Sequence, residues 1–143
     1  MRKQGWEKRL SDFLSAEREA PFVWGKNDCI AFAAKAANEV VERDLMPEFD
    51  SYGAYDEKAA QEMLAKFDGD LCRFFDAHFR RRYNLNFIQR GDIVVIEFRG
   101  VRAAGVLDCS GRVIACKTLA GLLHVPLDKN KIVGAWDIDE RAE

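Results

Sequence analysis

The chain has 143 residues, a length that suits one domain with a single core. Hydrophobic residues make up 48% and charged residues 32%, a balance that excludes a disordered or fibrous chain. The net charge of −2 comes from 22 basic and 24 acidic residues mixed along the chain, so no field selects nucleic acid or an anionic membrane as partner.

Trp6, Leu10, Phe13 and Leu14 recur at helical spacing, and the pattern ends near Ala20-Pro21, which predicts a first helix over residues 4–17. A second helix is predicted to start at Cys29, capped by Asn27 or Asp28. Its stripe of Ile30, Ala33, Ala34, Ala37, Val40 and Val41 is built from small side chains that allow close packing, as in a buried central helix. Asp56 is placed to cap a third helix carrying Ala60, Met63, Leu64 and Phe67, with Gly69 as its breaker. Asp70 is placed to cap a fourth carrying Leu71, Phe74, Phe75, His78 and Phe79. Arg80-Arg81-Arg82 then reads as a solvated helix end.

From Gly91 the period changes from 3.6 to 2. Residues 93–98, 104–107, 112–116, 122–125 and 132–138 read as short strands, separated by Arg99-Gly100, Ser110-Gly111 and Ala120-Gly121. These spacings favour an antiparallel meander over a parallel sheet. Helices first and about five strands second predict an α+β fold in which N-terminal helices pack on a C-terminal antiparallel sheet, as one domain over 1–143.

No apolar stretch reaches the ~18 residues that a membrane span needs, and the N-terminus lacks the apolar core of a signal peptide, so synthesis in the cytoplasm is expected, and retention there unless the chain leaves as part of an assembly. In that reducing compartment Cys29, Cys72, Cys109 and Cys116 read as free thiols. There is no C-x-x-C pair, and His78 and His124 lie far apart, so no metal site and no cofactor is expected.

Cys29 is the most informative residue. The unpaired N–H groups and positive dipole end at a helix start favour a thiolate, which makes it a candidate nucleophile; as a small apolar side chain it also suits a buried packing position. Trp24 suits either a core anchor or a cleft wall. Asp92 reads as a turn or strand-start residue, and Trp136 as core. His78 shares a helical face with Leu71, Phe74 and Phe75, which suits a half-buried or interface histidine. The aromatics Phe74, Phe75, Phe79, Tyr83 and Phe87 form either a helix core or a docking surface.

The segment Phe22-x-Trp24-Gly25-x-Asn27-Asp28-Cys29 resembles the nucleophile segment of the papain-like NlpC/P60 peptidases, and Gly91-Asp92-Ile93-Val94 resembles their G-D-L-V strand. The spacing of Trp6, these two segments, Gly121-Leu122, Pro126 and Ala135-Trp136 is similar to a phage- and prophage-encoded, tail-associated group within that superfamily. The resemblance covers nearly the whole chain. It implies a papain-like fold, other phage tail proteins as partners, and a virion tail as destination. For an active member it further implies Cys29 as nucleophile against peptidoglycan stem peptides, with Trp24 and Asp28 at the substrate.

A cysteine peptidase also needs an imidazole and a third group to orient it. The resemblance places the histidine at Ala103, in Ala103-Ala104-Gly105-Val106, and the third group around Ile114-Ala115-Cys116, where no polar side chain stands. His124 is the one candidate replacement, one strand later, with an ordinary sheet-surface histidine as the other reading. The expected function is therefore a tail-tip or tail-assembly component with degenerate catalytic residues. The alternatives are an active cysteine peptidase or amidase, and a cleft that binds a peptide, acyl or amide ligand without cutting it.

Overall fold

In the computed structural model of the chain, residues 2–24, 27–45 and 57–141 are described. Among these residues four helices come first: α1 (Trp6–Glu17), α2 (Cys29–Val40), α3 (Glu57–Ala65) and α4 (Leu71–Asp76). Six strands follow: β1 (Phe79–Arg81), β2 (Ile93–Phe98), β3 (Val101–Leu107), β4 (Val113–Thr118), β5 (Gly121–Pro126) and β6 (Ile132–Arg141). Asp56, the expected cap of α3, lies outside the described residues. Asp70 does cap α4, its Oδ1 accepting from the Cys72 N–H at 2.9 Å.

The strands form one antiparallel sheet in the order β1-β6-β2-β3-β4-β5. Strands β2 to β5 are the expected meander. β6 then returns across the sheet to lie between β2 and β1. Arg99-Gly100 makes the β2–β3 turn with both residues at positive φ, 53° and 79°.

The fourth helix is shorter than expected and a sixth strand takes its end. The helix stops at Asp76, and Phe79 opens β1, where it pairs with β6 and is 1% exposed. Three residues of strand leave no period-2 signature, and His78 and Phe79 happened to extend the helical spacing. The Arg80-Arg81-Arg82 run is accordingly no solvated helix end. Arg81 pairs with Asp76 at 3.3 Å, and Arg82 pairs with Asp92 at 2.5 Å and Asp137 at 3.5 Å.

One face of the sheet, carrying Ile93, Val95, Ala104, Val106, Ala115, Trp136 and Ile138, packs against the helices. Within it α2 is buried through Phe32, Ala33, Ala34, Ala36, Ala37 and Val40, and the alanines let it lie close to β3. The other face carries Val94, Ile96, Leu107, Ile114, Cys116 and Ala135, partly covered by Leu85, Ile88 and Leu127. Coverage on both faces explains the unbroken run Ile93-Val94-Val95-Ile96. Phe74, Phe75 and Phe79 belong to the helix-side core, so of the five aromatics read as a docking surface only Tyr83 and Phe87 stand exposed. Trp136 is fully buried, with its indole N–H on Asp76 Oδ1 at 2.8 Å.

Candidate functional site

The site is built where the chain passes from α1 to α2. α1 ends at Glu17, whose carbonyl accepts from the Ala20 N–H at 3.2 Å, and Lys117 of β4 reaches the same turn. Its Nζ donates to the carbonyls of Glu17 at 2.6 Å and Ala20 at 2.7 Å and pairs with Glu17 Oε2 at 3.0 Å, with no part of the lysine exposed. Asn27 Nδ2 donates to the same Oε2 and to the Pro21 carbonyl, both at 3.0 Å. Val23 and Asn27 exchange backbone hydrogen bonds at 2.7 and 3.3 Å. This cluster sets the direction in which the chain enters α2.

Asp28 is the cap of α2. Its backbone is extended, at φ −81° and ψ −178°, and Oδ1 accepts from the Ala31 N–H at 2.8 Å. Cys29 is then the first helical residue, partly buried against the helix-side core. Burial pushes its thiol up to about 11. The Ala104 N–H, and those of Cys29 and Ile30, act in the opposite direction by hydrogen bonding to the sulfur, while the Asp28 carboxylate adds to the rise. Burial wins, and the charge at Cys29 also adds to the rise at Cys116, likewise pushed up to about 11, chiefly by its own burial. The dipole advantage of a helix start is therefore outweighed, and the thiol is protonated at neutral pH.

Facing decides what surrounds the sulfur. Ala104 and Val106 look toward α2, whereas Ala103, the position the resemblance assigns to the imidazole, lies on the other face of β3. On β4 the residues facing the helices are Ala115 and Lys117, and the lysine is already held by Glu17. His124 is exposed on β5 opposite Ala115, which itself lies opposite Val106. That puts it about 7 Å further along the sheet than Ala104 and about 10 Å across it. Lys117 and Leu122 stand at the level of the thiol instead. Among the described residues no hydrogen bond joins His124 to Cys29. The histidine lines a depression of about 200 Å³ with Ser15 of α1, Arg18 just after it and Asp108, a depression that Cys29 does not line.

Trp24 is partly buried and packs edge to face on Phe22, with centroids 4.8 Å apart and planes at 86°. It sits on the loop leading to α2, beside the Val23–Asn27 closure. Asp92 is completely buried at the head of β2, taking hydrogen bonds from Arg82 Nε at 2.5 Å and the Gln89 N–H at 2.8 Å, with Arg2 Nη2 3.7 Å away. Its surroundings are those of a structural anchor, as read from its place at the strand start. Among the described residues no group of three or more His, Cys, Asp or Glu side chains could hold a metal ion.

Lys117 and Glu17 are the site residues that sequence reasoning missed. A signal existed, because alternation from Ala115 turns Lys117 inward, but its partner is 100 residues away and nothing local names it.

The class defined here is an α+β domain with helices on one face of a six-stranded antiparallel sheet and a buried thiol at the head of its central helix. More particularly, the chain belongs to the family described as a domain of unknown function (DUF6950), whose family model matches residues 1–138. No curated protein matches it. No described helix is long and apolar enough to cross a membrane.

Proposed function

We propose that this protein is a tail-tip or tail-assembly component of a phage or prophage, a catalytically degenerate relative of the NlpC/P60 peptidases with a papain-like fold. The observation that carries the degenerate part is the surroundings of Cys29. The strand next to the thiol offers it Ala104 and Val106, and burial holds the sulfur in its protonated form. A cysteine peptidase needs the reverse, a base beside the sulfur and a depressed pKa. The tail assignment rests on the resemblance in motif spacing, and on this reading the protein works by contact with other tail proteins, with exposed Tyr83 and Phe87 available for it. Asp28 then serves as helix cap and Trp24 as a loop anchor.

The test is the alkylation rate of Cys29 against pH, followed by mass spectrometry, with Cys29→Ala and His124→Ala variants. The expected midpoint lies well above the ~8.5 of a free thiol and does not move in His124→Ala. In parallel, Cys29→Ala should associate with neighbouring tail proteins as the parent chain does. A midpoint below ~7.5 that rises on removing His124 would identify a working dyad. Release of stem peptides from peptidoglycan, lost in Cys29→Ala, would establish the active cysteine peptidase in place of the degenerate one.

A further inference from the structure

The sheet face away from the helices is not fully covered. Between the segments carrying Leu85, Ile88 and Leu127 and the free edge at β5 runs a groove of about 400 Å³, floored by Ile96, Ala103 and Cys116 and walled by Val101, Leu123 and Val125. It is open to solvent: Phe98 is 53%, Val101 67% and Leu123 42% exposed. Contiguous apolar surface of this kind on one face is unusual for a chain that works alone.

Its charge is one-sided. Lys131 Nζ and the Arg99 guanidinium lie 5.3 and 5.2 Å from the centroid of the Phe98 ring, and among the described residues neither has an ion pair or a hydrogen bond. Among the described residues no carboxylate lines the groove. The nearby acid, Glu97, is paired with Arg102 at 3.7 Å, and Arg102 in turn with Asp70. The Phe98 ring with its two cations and Leu123 of β5 lie three strand spacings, about 14 Å, apart across the sheet and four residues, about 13 Å, apart along it.

We infer that this groove docks an apolar peptide segment of a partner protein that carries acidic side chains at the end lying over Phe98. Apolar side chains of the segment cover Val101, Ala103, Leu123 and Val125, and its carboxylates take up Arg99 and Lys131, where partial desolvation and the ring beneath strengthen the pairing. A peptide fits better than an acyl chain. The groove is an open trough rather than a tunnel, and along one side it is bordered by the uncharged backbone edge of β5, Leu122 to Val125, which pairs with no further strand among the described residues and offers N–H and C=O groups that a peptide main chain can use and an acyl chain cannot. The inference is independent of the chemistry at Cys29, which lies on the other face.

The test uses the full chain and randomised 12-residue peptides displayed for selection, then binding of the enriched peptides by fluorescence anisotropy at ~0.15 M salt, with dodecanoate as the lipid control. Enriched peptides should combine leucine-like and acidic residues. Their affinity should fall at least tenfold in R99E/K131E and in Leu123→Asp, and stay unchanged in Cys29→Ala; far-UV circular dichroism confirms that each variant is folded. Enrichment of peptides without acids, affinity indifferent to R99E/K131E, no enrichment at all, or binding of dodecanoate with no competing peptide would each overturn it. Self-association of the chain by sedimentation, lost in Leu123→Asp, would assign the face to a second copy instead.

Discussion

Replacing Lys117 with Met tests whether the buried polar cluster holds the approach to α2. The change keeps the aliphatic stem and removes the charge. Left behind would be the Glu17 carboxylate, with Asn27 as its one remaining partner among the described residues, and the carbonyls of Glu17 and Ala20 without the donor at 2.6 and 2.7 Å. Breaking a buried pair by removing one member costs about 3–5 kcal/mol. Glu17→Gln keeps the Asn27 contact and both carbonyl bonds of the lysine, so its cost should be smaller, about 1–3 kcal/mol. Because the two side chains share one network, the double variant should lose less than the sum of the singles by more than about 1 kcal/mol. Urea unfolding followed by circular dichroism measures all three. With a slope near 2 kcal/mol per molar, Lys117→Met should lower the midpoint by about 2 M. The same change should speed alkylation of Cys29, since the chain from Glu17 to Asn27 loses its anchor. A Lys117→Met variant within about 0.5 kcal/mol of the parent, or a strictly additive cycle, would refute the reasoning.

Gly105→Ala should destabilise by about 1–3 kcal/mol, because a Cβ there would stand 2.5 Å from the Ala115 carbonyl oxygen and 2.9 Å from Cys116 Cβ, and backbone has to move; urea unfolding checks it, and a neutral result would mean that β3 and β4 separate freely. Burial pushes the Asp92 carboxyl up to about 6 against the hydrogen bonds from Arg82 and Gln89 and the charge of Arg2. The folded state then holds the proton more tightly than the unfolded chain, so the contribution of this group is complete below about pH 4 and is lost as pH rises through 6. A carbon-detected titration of the Asp92 carboxyl should show that midpoint, and one below about 4 would mean that the arginines outweigh burial.

Much of the frame was readable without coordinates. The end of α1 at Glu17, the start of α2 at Cys29, the Asp28 and Asp70 caps and the whole of β2 follow from hydrophobic period and capping chemistry, which act over a few neighbouring residues. The same locality misled at residues 76–82, where a helical spacing ran on through His78 and Phe79 although pairing with β6 converts Phe79 to strand.

The site divides along the same line. That a cysteine opens the central helix, and that no histidine stands at Ala103 or Ala104, belongs to the sequence alone. Which of those two alanines faces the thiol was a matter for the sheet, since moving a strand's register by one residue turns every side chain to the other face. The distance of His124 from Cys29, the capture of Lys117 by a residue 100 positions earlier and the placing of β6 between β1 and β2 likewise depend on contacts that no local pattern encodes. So does the state of the sulfur. The helix start favours a thiolate by local rule, but the tertiary structure buries it, and desolvation of a charge outweighs the few backbone N–H groups that would stabilise it.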